Sequence, residues 1–194
     1  MRNMIILLVI MLCSSCAHVP ANIPDALTNQ PQAVIFDIDG TLTPSPFAFF
    51  TVREDAANAV RLFADKGYTI IYLSARFPFL KIMTLNWLKS HGFPDGIVHV
   101  GDTSGDVINP YQFKKRILND FIKHKWKIEF AYGDSCTDFE AYAKVNIRKD
   151  HVYALKRVVE PCQGNEKENW KECLKGWTEH MDFIEKSVQP APAR

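Results

Sequence analysis

The chain has 194 residues, enough for one domain of ordinary size. Hydrophobic residues make up 47% of it, which excludes global disorder. A formal net charge of +1 gives no ground for a nucleic-acid partner or a strongly acidic one, and no internal repeat is present.

The first predicted element is a targeting segment. Arg2 supplies a positive start and MIILLVIML, residues 4–12, an apolar core too short to span a bilayer comfortably. Ser14, Ser15 and Cys16 follow, and the whole resembles a bacterial lipoprotein signal in which the cysteine is lipidated and becomes the new N-terminus. Cys13 stands where that pattern usually has an aliphatic residue. An ordinary cleaved signal peptide and an uncleaved anchor are the alternatives. Residues 17–31 contain three prolines and read as an extended tether.

The stretch AVIFDIDGTLT, Ala33 to Thr43, is the most informative in the chain. Its apolar run predicts a buried parallel strand, with Asp37 and Asp39 presented at the C-terminal edge, where open α/β sheets bind ligands. Gly40 permits a sharp turn or a close approach. Two carboxylates so close together repel unless something positive lies between them. Mg²⁺ suits that place, because it takes oxygen ligands and binds phosphate at the same time.

Downstream, residues 43–51 form a loop with two prolines and three phenylalanines (Phe47, Phe49, Phe50). Helical spacing is predicted over Glu54–Lys66, a strand over Tyr68–Leu73, and a helix over Phe79–His91. A short third strand falls at Gly96–Val100, then a polar loop over Gly101–Asn109, then a helix over Pro110–His124. A fourth strand, Lys127–Tyr132, runs into GDSCTD, Gly133 to Asp138; a short helix at Phe139–Lys144 and a fifth strand at Val152–Leu155 complete the alternation. Such alternation implies βαβ units and a parallel sheet. Beyond Arg157 the composition shifts to a charged stretch with Trp170 and Trp177, read as a C-terminal helix or appendage, and then to a Pro/Ala tail read as disordered.

DIDGT after a hydrophobic strand resembles the first signature of the haloacid-dehalogenase (HAD) superfamily of phosphohydrolases. The resemblance implies a three-layer Rossmann-like α/β fold with a central parallel sheet, and the intervals between the signatures are too short to hold a cap domain, so a capless form is expected. It implies Asp37 as nucleophile and Asp39 as acid/base. Ser74, ending the second strand, takes the place of the second signature. Thr41, Ser74, Ala75, Arg76 and Lys114 are the expected substrate contacts. Lys114 and Lys115 both qualify as the cation of the third signature; NPYQFKKRIL resembles the lipin-like segment in which a lysine follows a phenylalanine, which favours Lys114. The acidic pair is Asp134 and Asp138. With Asp37 and Asp39 they form the expected Mg²⁺ set, Asp138 acting through water or by orienting Lys114. Asp102 and Asp106 have a similar shape and read as loop residues.

YLSAR, Trp87-Leu88, FKKRIL and TDFEAY are similar to the lipin-type phosphatidate phosphatases and to the lipin-like domain of phosphatidylinositol-transfer proteins. Lipins usually have asparagine where this chain has Asp134. The division implied is 1–16 signal, 17–31 tether, 32–157 catalytic domain and 158–194 appendage and tail. The expected activity is Mg²⁺-dependent hydrolysis of a lipid phosphate or another large phosphomonoester at the bacterial envelope. The protein would be a periplasm-facing lipoprotein held by its lipid anchor, or a soluble periplasmic one. A nonspecific acid phosphatase or nucleotidase, and a non-catalytic lipid-binding module, are the alternatives. In an oxidising compartment Cys162 and Cys173 could bridge.

Overall fold

A computed structural model of the chain describes residues 23–25 and 31–192. The expected targeting segment and most of the expected tether lie outside those residues. Six strands build one sheet: β1 (Gln32–Asp37), β2 (Thr69–Ser74), β3 (Ile97–Val100), β4 (Lys127–Gly133), β5 (Val152–Leu155) and β6 (Glu172–Leu174). All pair in parallel, in the order β3-β2-β1-β4-β5-β6.

Strand period sorts the core. Val34 and Phe36 face one side of β1 and Ala33 and Ile35 the other, and all are fully buried. On the first side lie α1 (Ala56–Asp65), α2 (Lys81–Ser90) and α6 (Met181–Lys186), packing through Phe63, Trp87 and Ile184. On the second lie α4 (Pro110–Lys123) and α5 (Cys136–Lys144), packing through Phe113, Ile117 and Phe139. The result is the expected three-layer Rossmann-like architecture. Between β1 and β2 the chain holds one loop and α1. From β2 to α4 it holds a 3₁₀ turn, α2, β3 and the five-residue α3 (Ser104–Ile108). No cap domain occupies either interval.

The structure corrects four expectations. Residues 158–194 are not an appendage as far as they are described. Glu172–Leu174 pairs with β5 as the sheet's edge strand, and Trp177 is fully buried against Phe36 and Tyr132. Cys162 and Cys173 are bonded and staple the loop that returns to this strand. The Pro/Ala tail is tied down where it is described: Ala191 N–H donates to Lys66 O at 2.8 Å and Tyr68 Oη donates to Gln189 O at 2.9 Å. The polar loop after β3 contains α3, whose start is fixed by a Thr103/Asp106 capping box. At the N-terminal side, Ile23 is buried against the second core cluster and Pro24 O accepts from Trp126 Nε1, so this part of the tether is docked.

Candidate active site

The strand order reverses at β1. The chain runs outward to β2 and β3, then returns to place β4 on the other side of β1. At such a switch point the loops after adjacent strands diverge and leave a crevice at their C-terminal ends. Asp37 ends β1, and Asp134 follows β4 directly. The cleft there has a volume of about 360 Å³ and is lined by Asp37, Asp39, Ala75, Arg76, Lys114, Asp134 and Arg157 among others. A groove of about 430 Å³ lies at the other end of the sheet, around Trp126, Lys127 and Asn146. Its lining lacks such a gathering of carboxylates, so the smaller cleft is the chemical one.

Asp37 is held from two sides. Thr41 Oγ1 donates to its Oδ2 at 3.0 Å, and Lys114 Nζ donates to its Oδ1 at 2.6 Å. The same ammonium pairs with Asp138. The other oxygen of Asp138 accepts from the amides of Asp134 and Ser135, closing the first turn of α5. Asp138 therefore orients Lys114 and fixes the helix start together. Burial pushes the Asp37 carboxyl well up; Lys114 pulls it back, while Asp138, Asp134 and Asp39 add to the rise. Burial would lower Lys114, but Asp138 and Asp37 outweigh it and raise it. Asp134 is pushed up to about 6 by burial and by Asp138, against the pull of Arg157.

Asp37, Asp134 and Asp138 each offer one carboxylate oxygen, and these lie within 4.8 Å of one another. An oxygen-only donor set of this kind suits a hard divalent cation such as Mg²⁺. The loop geometry supports the fit. Gly40 has φ +84°, and a Cβ there would lie 1.8 Å from Asp134 Oδ2. Only a residue without a side chain lets Asp134 reach the cluster. Charge agrees too: four carboxylates (Asp37, Asp39, Asp134, Asp138) face three cationic side chains (Lys114, Arg76, Arg157).

Asp39 points away from that cluster. Ser74 Oγ donates to its Oδ2 at 2.7 Å, and Arg76 grips both oxygens through Nε and Nη2 at 2.8–3.0 Å. The Arg76 side chain is buried. It also donates to Phe49 O and Thr84 Oγ1, with the rings of Phe49, Phe50 and Trp87 within 6 Å. Thr41, Ser74 and Arg76, expected at the substrate, thus turn their polar groups to the two aspartates. Ala75, Arg76 and Lys114 all line the cleft.

Asp102 and Asp106 repeat the Asp134/Asp138 device three strands away, after β3 rather than β4. They do follow a strand, β3, and Asp106 Oδ2 accepts from the amides of Asp102 and Thr103. Their cation is Arg116 rather than Lys114. Asp102 is the loop residue expected, Asp106 belongs to α3 instead, and neither lines the cleft.

Sequence reasoning passed over two arginines. Arg157 donates through Nε to Asp134 Oδ2 at 2.5 Å. Its place two residues after β5, at the same sheet edge as the aspartates, was a usable signal. Arg53 ties Gly40 O and Pro44 O to Lys156 O, bracing the first loop against the end of β5. Nothing in its local sequence marks it.

The sequence matches the family described as PITM 1-3, LNS2 domain, over residues 34–156. It is 30% identical over 138 residues to Protein retinal degeneration B of Drosophila melanogaster, covering 69% of this chain and 11% of that one. It is 32% identical over 136 residues to Membrane-associated phosphatidylinositol transfer protein 1 of Homo sapiens, covering 68% and 11%. The chain thus spans 11% of the length of each of these relatives. Among solved structures, D,D-heptose 1.7-bisphosphate phosphatase from B. bronchiseptica, complexed with magnesium and phosphate, aligns with TM-score 0.59 at 12% identity, covering 82% of this chain and all (100%) of that one. A HAD family hydrolase from Deinococcus radiodurans R1, with bound phosphate and sodium, aligns with TM-score 0.55 at 12% identity, covering 81% and 96%. At these identities the structural likeness is one of fold.

Proposed function

Since the chain belongs to the PITM 1-3 LNS2 domain family, with the fold of HAD phosphatases, we propose that it is a phosphoric monoester hydrolase. The observation that carries this reading is Asp37 oriented by both Thr41 and Lys114 beside Asp134 and Asp138. A carboxylate held so in the lining of a cleft is placed for nucleophilic attack.

In the first step Asp37 forms a bond to phosphorus as the ester P–O bond breaks, giving an aspartyl-phosphate. The leaving oxygen takes a proton from Asp39. In the second, Asp39 accepts a proton from water as that water attacks phosphorus, freeing phosphate and regenerating Asp37. Lys114 offsets the charge gathered on phosphoryl oxygens and carboxylates. Asp37 and Asp134, with Asp138 beside them, would hold Mg²⁺, which supplies charge stabilisation and a template for the phosphoryl group. For Asp39 to serve, it must exchange Arg76 for the leaving oxygen. Reorientation of this ion pair is therefore part of the reading.

The substrate class we assign is a lipid phosphate or other large phosphomonoester. A site without a cap domain among the described residues admits one, and the family's relatives carry phosphatidylinositol transfer in their names. We place the enzyme at the cell envelope, bound through lipidated Cys16. The Cys162–Cys173 bond supports an oxidising compartment. No helix among the described residues is long and apolar enough to cross a membrane.

A second reading, a lipid-phosphate-binding module without turnover, draws on the grip of Arg76 on Asp39. One experiment separates the two. The full chain is assayed for phosphate release in Mg²⁺ and detergent, against phosphatidate, phosphatidylglycerophosphate, nucleotides, sugar phosphates and p-nitrophenyl phosphate. Turnover that disappears in Asp37→Asn and in EDTA is expected, with lipids preferred. Turnover undiminished in Asp37→Asn would remove the covalent mechanism. No turnover of any substrate would leave the binding module.

A further inference from the structure

The mouth of the cleft has one apolar side, built from two segments far apart in sequence. Phe47 is 88% exposed on the first, and Phe79 and Ile82 are 73% and 72% exposed on the second. Phe77 and Phe79 stack with ring centroids 5.4 Å apart, and Met83 and Leu85 are exposed alongside. Isolated exposed apolar residues need no explanation, but several gathered on the two segments whose Pro46, Phe49, Phe77 and Leu80 line a functional cleft mark an interaction surface.

Arg76 joins the segments. Its guanidinium lies among Phe49, Phe50 and Trp87 and donates to Phe49 O, and Trp87 Nε1 donates to Phe50 O at 2.8 Å. The exposed rings are therefore presented on a braced rim. Phe49, Phe77 and Leu80 continue that rim into the cleft beside Asp37 and Lys114.

Charge selects the occupant. No Asp or Glu occurs from Gly40 to Arg53 or from Ser74 to Pro94. Within the second stretch Lys81 and Lys89 are both exposed. Helix α2 thus turns Ile82, Met83, Leu85 and two lysines to solvent and keeps Trp87 and Leu88 for the core. Asp95 meets only the Leu85–Lys89 end of α2. Aromatic and aliphatic side chains with lysines, on segments that carry no acid of their own, match the boundary between headgroups and acyl chains of an anionic leaflet.

We propose that this rim, centred on Phe47, Phe79 and Ile82, docks on an anionic lipid–water interface and sets the cleft against it. The proposal deepens the reading of the site as one for surface-borne phosphates and rests on it for its use; the docking itself requires no turnover.

The test uses the full chain with vesicles of phosphatidylcholine alone and of phosphatidylcholine mixed with phosphatidylglycerol, a diester and so no substrate. The apolar run near the N-terminus can itself hold the chain on vesicles, so the readout is local: hydrogen exchange by mass spectrometry over 44–51 and 77–85. With mixed vesicles exchange in both segments is expected to slow several-fold, and less with phosphatidylcholine alone. In Phe79→Ser/Ile82→Ser, with its melting temperature unchanged, the slowing should vanish. If that variant melts early, Phe47→Ser on the other segment serves instead. Slowing confined to other elements, or equal in wild type and variant, overturns the proposal. So does slowing that depends on protein concentration without vesicles, which would make the rim a contact between copies. Failure of the phosphatase reading would appear separately, as absent phosphate release with these exchange effects intact.

Discussion

At the scale of single residues, Lys114 is where the site's charges balance. Its ammonium is buried at the cleft and touches Asp37 and Asp138. Removing one partner of a buried ion pair leaves the others uncompensated, at a cost of about 3–5 kcal/mol. Lys114→Met should therefore lower unfolding free energy by roughly that amount, at the lower end because Asp37, already pushed upward, can take up a proton. Lys114→Met/Asp138→Asn should recover part of the loss, since the asparagine removes a charge and keeps an acceptor for the α5 amides. Urea unfolding of the wild type and both variants measures this. A double variant less stable than the single one would show that Asp138 acts through the helix start alone. Phosphate release, where the wild type has it, should be lost in both.

At the scale of elements, the last strand and the C-terminal segment beyond it set this chain apart from the stretch that the family match covers. That match ends at residue 156, yet β6 completes the sheet and Trp177 packs under β1 and β4 with its Nε1 donating to Thr41 O at 3.1 Å. The loop that follows Asp37 and carries Asp39 thus rests on a side chain from beyond that boundary. Trp177→Ala should cost about 3–5 kcal/mol, the range for large-to-small change of a buried aromatic. Reduction of the Cys162–Cys173 bond, which spans 11 residues, should cost about 2–3 kcal/mol by loop-closure entropy. A chain cut after Arg157 should fail to give a cooperative melt. Thermal unfolding with and without reductant checks all three, and a truncated chain melting like the full one would make the segment an accessory after all. β6 was hard to see beforehand because three residues at a sheet edge, Glu-Cys-Leu, carry no apolar run. α3 was hidden similarly: five residues show no helical period, and only its Thr103/Asp106 start marks it.

For the molecule as a whole, the core was legible and the polar connections were not. β1, β2 and β4 are apolar runs, α1 and α4 carry buried residues at helical spacing, and their alternation dictates a parallel sheet with a crevice at the reversal. Asp37, Lys114, Asp134 and Asp138 converge because each sits at a strand end or in the first turns of a helix facing it. The grip of Arg76 on Asp39 and of Arg157 on Asp134 depends on side chains crossing between loops, which no local pattern encodes. Core burial also sets how the fold meets acid. His180 is buried against Tyr132 and Tyr153, accompanied by Lys171, and burial holds it at about 4 instead of its ordinary 6.5. The unfolded chain therefore takes up a proton between pH 6.5 and 4 that the native state refuses, so this group's share of stability is complete above pH 6.5 and falls as pH drops to 4. Asp134, raised to about 6, has the opposite sign: the native state binds its proton first, which favours folding as pH falls through that range. A wild-type profile mixes the two, and a difference separates them. His180→Leu should be most damaging near neutral pH, and its deficit should shrink by up to about 1.4 kcal/mol per pH unit between pH 6.5 and 4. Paired urea titrations across that range read the slope directly, and a deficit that stays constant with pH would mean that His180 contributes shape rather than a refused proton.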